Sequence, residues 1–184
     1  MTTGNVMDVL QQPGRLCINP TNILTAFPHG GTALGEIYKH AIRVYTGQTP
    51  INDEALGIET RDIIYTGEQW AFLGLLRSFD PDAISTLFPN TVVGSGSGKR
   101  KIEFPGSFGP GSLLSSRSVV LLFSPLDEDN GLYFLMRKAL PLPNTSNQIN
   151  MALKSKAEIG FAFTAIRDAQ NRAIEWGYRE DITI

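Results

Sequence analysis

The chain has 184 residues, 42% of them hydrophobic and 18% charged, with 16 basic and 18 acidic side chains and a formal charge of -2. That is the length of one domain, enough to bury a core without staples, and the charge balance is not that of a dedicated nucleic-acid binder. A single cysteine, Cys17, excludes an internal disulfide framework and a Cys-based zinc site within one chain.

Residues 1–34 read as an N-terminal arm with a short strand in it. RLCI (15–18) is apolar and extended, and NPTNILTAFPHGGTALG behind it is rich in residues that punctuate the backbone. The opening MTTGNVMDVLQQ has no basic stretch leading into an apolar one, so no signal peptide is expected. EIYKHAIRVYT (36–46) is β-favouring, with Tyr38, Ile42 and Val44 on one alternate set. TGQTPINDEALGIET (46–60) follows as a polar connection or hairpin tip. RDIIYTG and EQWAFLGLLRS predict two strands around a tight turn at Thr66-Gly67. In the second, the run Trp70, Phe72, Leu73, Leu75, Leu76 suits a strand buried on both faces.

FDPDAISTLFP is the best helix signal. Asp80 is a natural N-cap, Pro81 fits the first helical position, and Asp82 complements the positive end of the dipole. Ile84, Leu87 and Phe88 share a face, and Pro89 stops the helix. A glycine-rich connector then occupies 90–117. SVVLLFS (118–124) and LYFLMRKAL (132–140) flank DEDNG, whose Asn130-Gly131 is a strong hairpin signal. PLPNTSNQ is a loop that its prolines keep out of a sheet centre. In AEIGFAFTAI, Ala157, Ile159, Phe161, Phe163 and Ala165 alternate with Glu158, Gly160, Ala162 and Thr164, a strand with one apolar face. RDAQNR turns the chain and AIEWGY begins a closing strand. The class is therefore mainly β: one antiparallel β-sandwich or barrel domain over 1–184, with one short helix and extended loops or arms.

The connector holds the one stretch that invites a chemical reading, GSGSGKRKIEFPGSFGPGS (94–112). A phosphate loop needs G-x-x-x-x-G-K-[ST] between a strand and a helix. Here Val93 stands where the first glycine belongs, Arg100 where the hydroxyl belongs, and KRKIEFPGSFGPG cannot sustain a helix. It is not a nucleotide site. The Lys99-Arg100-Lys101 cluster can contact phosphate, or it can be solvated or pair with acids on a neighbouring subunit. His29 lies in a loop and His40 in a strand, and two histidines make a His-rich metal site unlikely on count alone. No G-x-S-x-G is present, Cys17 has no nucleophile motif around it, and Asp127-Glu128-Asp129 lacks calcium-loop spacing. No catalytic, cofactor or metal residues are assigned, and an enzyme is not expected. No apolar run approaches the ~20 residues of a membrane helix, so a soluble protein made inside the cell, with no membrane anchoring, is expected.

A β-hairpin half, a short helix, and a second β half ending in LKSKAEIGFAFTAIRDAQNRAIEWGY follow one another here. This order resembles phage tail tube proteins and their relatives in contractile injection systems. Those proteins end with a strand carrying an acid near its start, a phrase like F-x-A-x-x-D, a turn and a closing strand. Glu158, Phe163, Ala165, Asp168 and the turn 169–172 correspond to it. The long connector and the glycines of 19–34 depart from the family pattern.

The resemblance implies a tail-tube-like β-sandwich bent toward a barrel, in a virion structural protein made in the host cytoplasm. Six copies would form a ring, and rings would stack into a tube through which DNA passes without specific binding. Tape measure, terminator and baseplate proteins would be its other partners. Residues 90–117 become an assembly arm, with Lys99, Arg100, Lys101, Phe104 and Phe108 at a subunit interface. The alternative is another phage β-sandwich component: a neck or terminator protein, a baseplate ring, a collar, or a decoration or binding module. In that module Trp70, Trp176 and Tyr178 would line a ligand surface.

Overall fold

A computed structural model describes residues 6–7, 12–53, 59–77, 85–88, 91–96, 99–103, 113–142, 149–150 and 158–184. Eleven strands carry the fold: β1 (Val6–Met7), β2 (Gly14–Ile18), β3 (Thr32–Asp53), β4 (Glu59–Leu76), β5 (Val92–Gly96), β6 (Lys99–Glu103), β7 (Val119–Pro125), β8 (Tyr133–Pro141), β9 (Ile149–Asn150), β10 (Glu158–Ala165) and β11 (Ile174–Gly177). A single 3-10 turn, Leu114–Arg117, leads into β7.

Six of these strands close on themselves in the order β7-β2-β3-β4-β10-β8, every neighbour antiparallel. The seam is β8 against β10, where Phe163 faces Pro141 and Ala165 faces Ala139. The expected mainly-β class is present, and closure selects the barrel over the two stacked sheets of a sandwich. Closure also removes the exposed strand edges that an open sheet must protect. Strands β1, β9 and β11 are short additions to β3, β10 and β8.

The barrel is filled by side chains. Leu16, Ile37, Phe72, Leu76, Leu121, Phe134, Met136, Ile159, Phe161 and Phe163 form one buried cluster. The rings of Phe72, Phe123, Phe134 and Phe161 meet with centroids 5.4–6.3 Å apart, in edge and tilted arrangements that complement ring quadrupoles. The opposite side of β2, β7 and β8 is buried too. Cys17, Leu122, Tyr133 and Leu135 pack there against Ile23 of the β2–β3 loop and Ile182 of the C-terminal segment. Strands buried on both faces read as continuous apolar runs, which is why VVLLFSP and LYFLM show no alternation.

The structure departs from the sequence expectations in several places. β2, read as part of an N-terminal arm, is a wall of the barrel between β3 and β7. Thr66-Gly67 is not a turn. β4 runs straight through it, with Gly47 opposite Gly67 and Gln48 opposite Tyr65, so Thr66 is an extra residue in a bulge. Gly67 sits at φ +132°, a backbone conformation that suits glycine alone, so the dipeptide serves a bulge as readily as a turn. Most of the polar connection expected over 46–60 is strand as well. β10 has two buried faces rather than one, since Gly160, Ala162 and Thr164 are as covered as Ile159, Phe161 and Phe163. Of the predicted helix, Ser85–Leu87 is helical and Leu87 is buried in the core. Its proposed start at Asp80, Pro81 and Asp82 and its stop at Pro89 lie outside the described residues.

Candidate assembly site

β3 and β4 are far longer than the barrel needs. β4 keeps its second neighbour, β10, only from Trp70 to Leu76, and β3 keeps β2 only up to Ile37 and β1 only at Ile42 and Arg43. From Tyr45 to Asp53 and from Glu59 to Gln69 the two strands, among the described residues, pair only with each other. At about 3.3 Å per residue this makes a ribbon of roughly 30 Å.

A two-stranded ribbon has no interior, so its side chains face solvent on both sides. Five of those side chains are large and apolar: Tyr45, Ile51, Ile63, Ile64 and Tyr65 are 44%, 43%, 55%, 50% and 56% exposed. Ile63 and Ile64 point to opposite faces because side chains alternate along a strand. A lone hairpin is marginally stable in water, and contiguous exposed apolar surface marks a site of association.

The residues singled out from the sequence fall elsewhere. Lys99, Arg100 and Lys101 lie on β6, opposite Gly96, Ser95 and Gly94 of β5. β5 and β6 form a sheet of their own, separate from the barrel sheet. The glycine-rich connector is thus in part a second hairpin. Phe104 and Phe108 lie outside the described residues. The acidic turn at 127–129 is structural. Asp127 accepts the Asn130 amide at 3.3 Å, while Glu128 turns inward to Arg15 at 2.6 Å and Arg179 at 3.7 Å.

The candidate nucleophile and bases are occupied by packing. The Cys17 thiol is fully buried, and burial pushes its pKa up to about 12 against a smaller downward pull from Arg15. His40 stacks between Phe72 and Phe123, with centroids 5.9 Å and 5.0 Å away. His29 is 0% exposed, and its Nδ1 donates to the Thr25 carbonyl at 2.7 Å. That fixes the proton on Nδ1 and leaves Nε2 as a buried acceptor with no partner among the described residues. Burial holds the His29 pKa below its ordinary value, opposed by the Thr25 carbonyl and Glu128. Around it, Arg179 donates from Nε to the Ile23 carbonyl and from Nη2 to the Thr25 carbonyl, both at 3.0 Å. The C-terminal segment thereby clasps the β2–β3 loop. Among the described residues no group of three or more His, Cys, Asp or Glu could hold a metal ion.

Three concave surfaces bear on the functional reading. An apolar cavity of about 450 Å³ lies under Trp176 and Tyr178, floored by Phe72, Phe123 and Phe134. Trp70 does not join it, and borders a separate cleft with Trp176 and Arg172. A larger groove, about 930 Å³, follows the outer face of β3 and β4 where the ribbon leaves the barrel. Sequence reasoning missed both the ribbon and this groove. Pro50, Gly47 and Gly67 interrupt the ribbon's strand pattern, and the groove's residues are brought together only by the β3–β4 register. No family model matches this chain, and no curated protein matches it either.

Proposed function

We propose that the chain is a structural subunit of a phage tail tube, a ring-forming barrel whose stacked rings make a conduit for DNA. The observation that carries this reading is the β3–β4 ribbon, which no third described strand pairs and which exposes large apolar side chains. A rigid barrel filled by its own side chains supplies a mechanical unit, and a ribbon with five exposed large apolar side chains supplies its means of joining others. The β5–β6 hairpin with Lys99–Lys101 serves as a second assembly arm. Six copies per ring, and tape measure, terminator and baseplate proteins as further partners, follow from the same reading. DNA passes through the lumen without specific contacts.

The test is negative-stain electron microscopy of the purified protein over a concentration series, beside the Ile63→Ser/Ile64→Ser/Tyr65→Ser variant. Rings or stacked tubes for the wild type, lost in the variant without loss of monomer stability, support the reading. Uniform small particles at every concentration count against it. The cavity under Trp176 and Tyr178 favours a second reading, a phage binding module of the same fold. Small particles with Trp176 fluorescence that responds to an apolar ligand would favour that one.

A further inference from the structure

The groove at the base of the ribbon combines cations with an apolar floor. Lys39, Arg43 and Arg77 line it and are exposed, and none of the three has a carboxylate partner among the described residues. Glu36 is the only acid among its described lining residues. Leu73 and Leu75 form an apolar floor between the cations, with Tyr38 and Tyr45 beside them. Arg77 lies over the Tyr38 ring, 3.8 Å from its centre, with the Lys39 ammonium at 5.1 Å. These cation–ring contacts orient both charges without neutralising either.

The backbone explains why the cations gather here. Tyr38 faces Leu75 and Ala41 faces Leu73, so β3 spends Lys39 and His40 where β4 spends Gly74 alone. This bulge needs a left-handed residue, and Lys39 takes it at φ 52°. His40 turns inward onto Phe123. A side chain at Gly74 would lie 2.9 Å from Phe161 and 3.0 Å from the His40 Cβ, so a small residue there admits the inward turn.

The far end of the same two strands is the groove's complement. Between 53 and 62 the sequence carries Asp53, Glu54, Glu59 and Asp62 against Arg61 alone. Exposed Ile51, Ile63 and Ile64 lie along that stretch, and Asp62 is exposed as well. An acidic, apolar ribbon and a basic groove with an apolar floor sit at opposite ends of one hairpin. We propose that the ribbon of one copy docks in the β3–β4 groove of the next copy, carboxylates against Lys39, Arg43 and Arg77 and isoleucines against Leu73 and Leu75. This rests on the assembly reading above and names its receptor. Such a contact joins different patches on the two partners, so it is head-to-tail and propagates along the strand axis. Its charges set partner and register, and its apolar contacts add affinity.

The experiment is charge reversal with complementation. Lys39→Glu/Arg43→Glu/Arg77→Glu reverses the groove, and Glu59→Lys/Asp62→Lys reverses the ribbon. Lys39, Arg43, Arg77 and Asp62 are exposed, and every variant is checked for folding by circular dichroism. Each variant alone should need at least about tenfold more protein to assemble in sedimentation velocity. An equimolar mixture of the two should assemble again, as alternating copies. Wild-type tubes together with unaffected variants would overturn the groove assignment and leave the tail-tube reading intact. Loss in both variants without rescue on mixing would overturn the pairing of these two surfaces. A wild type that stays single at every concentration would overturn both proposals.

Discussion

β3 and β4 are one pair of strands in two environments. Between Ile37 and Val44 on β3, and between Trp70 and Leu76 on β4, they wall a barrel and bury Ile42, Phe72 and Leu76 to 4% exposure or less. Beyond Tyr45 the same ladder continues with mostly polar residues, and isoleucines among them, Ile63 and Ile64, are half exposed. Among the described residues the barrel half has a further hydrogen-bonded neighbour on each strand, β10 on β4 and β2 or β1 on β3, and the ribbon half has none. What distinguishes them is whether a third element covers the face. The first half gains its stability inside the molecule, whereas the second leaves its isoleucines exposed, as the proposed assembly contact requires.

Truncation should expose this contrast most sharply. Phe72→Ala leaves a cavity among four rings and is expected to cost about 3–5 kcal/mol in urea unfolding. Ile64→Ala on the ribbon should stay within about 0.5 kcal/mol in the monomer. Equal costs would mean that the ribbon is covered within its own chain. The two glycines of β4 refine the comparison. Gly74→Ala meets Phe161 and His40 and should lose about 1–3 kcal/mol through overpacking. Gly67→Ala, with nothing within 4 Å, should lose only the conformational cost of its positive φ, about 1 kcal/mol.

A smaller effect belongs to the outer clasp. Because burial depresses the His29 pKa, the unfolded chain binds its proton more readily than the folded one. Its contribution is therefore complete above about pH 6.5 and declines as pH falls below it. Urea midpoints at pH 7.5 and pH 5 should show that decline. His29→Asn, which tolerates the left-handed backbone at this position (φ 59°), should flatten it. Cys17, on the same covered face, should show no effect at all, with its thiol resisting a disulfide reagent until the protein is unfolded.

These contrasts also mark what could be read from the residues alone. The β7–β8 hairpin was legible because Asn130-Gly131 and two apolar runs are local signals, and the structure pairs Leu122 with Leu135 across it. β10 and β11 were legible for the same reason. The role of β2 was not, because this five-residue strand acquires one of its two neighbours, β7, from residues more than a hundred positions away. Thr66-Gly67 misled because a glycine with positive φ suits a turn and a bulge equally. Lys99–Lys101 drew notice as adjacent basic residues, while Lys39, Arg43 and Arg77 are scattered in sequence and meet only through register. Clusters formed by tertiary structure leave no local trace.

Barrel closure has a consequence for how the chain is made. Leu16 finds its place opposite Phe123, so β2 must wait for β7 to be synthesised. At about 5–20 residues per second that delay is on the order of 5–20 s. The β3–β4 hairpin, whose partners are near in sequence, can form well within it. A nascent chain therefore displays its ribbon before the barrel that should carry it exists, and neighbouring chains on one message could meet ribbon to ribbon. The last barrel strand to emerge is β10, which completes the seam with β8. If the proposed assembly holds, correct joining depends on order in time: a subunit has to finish its own wall before it meets another.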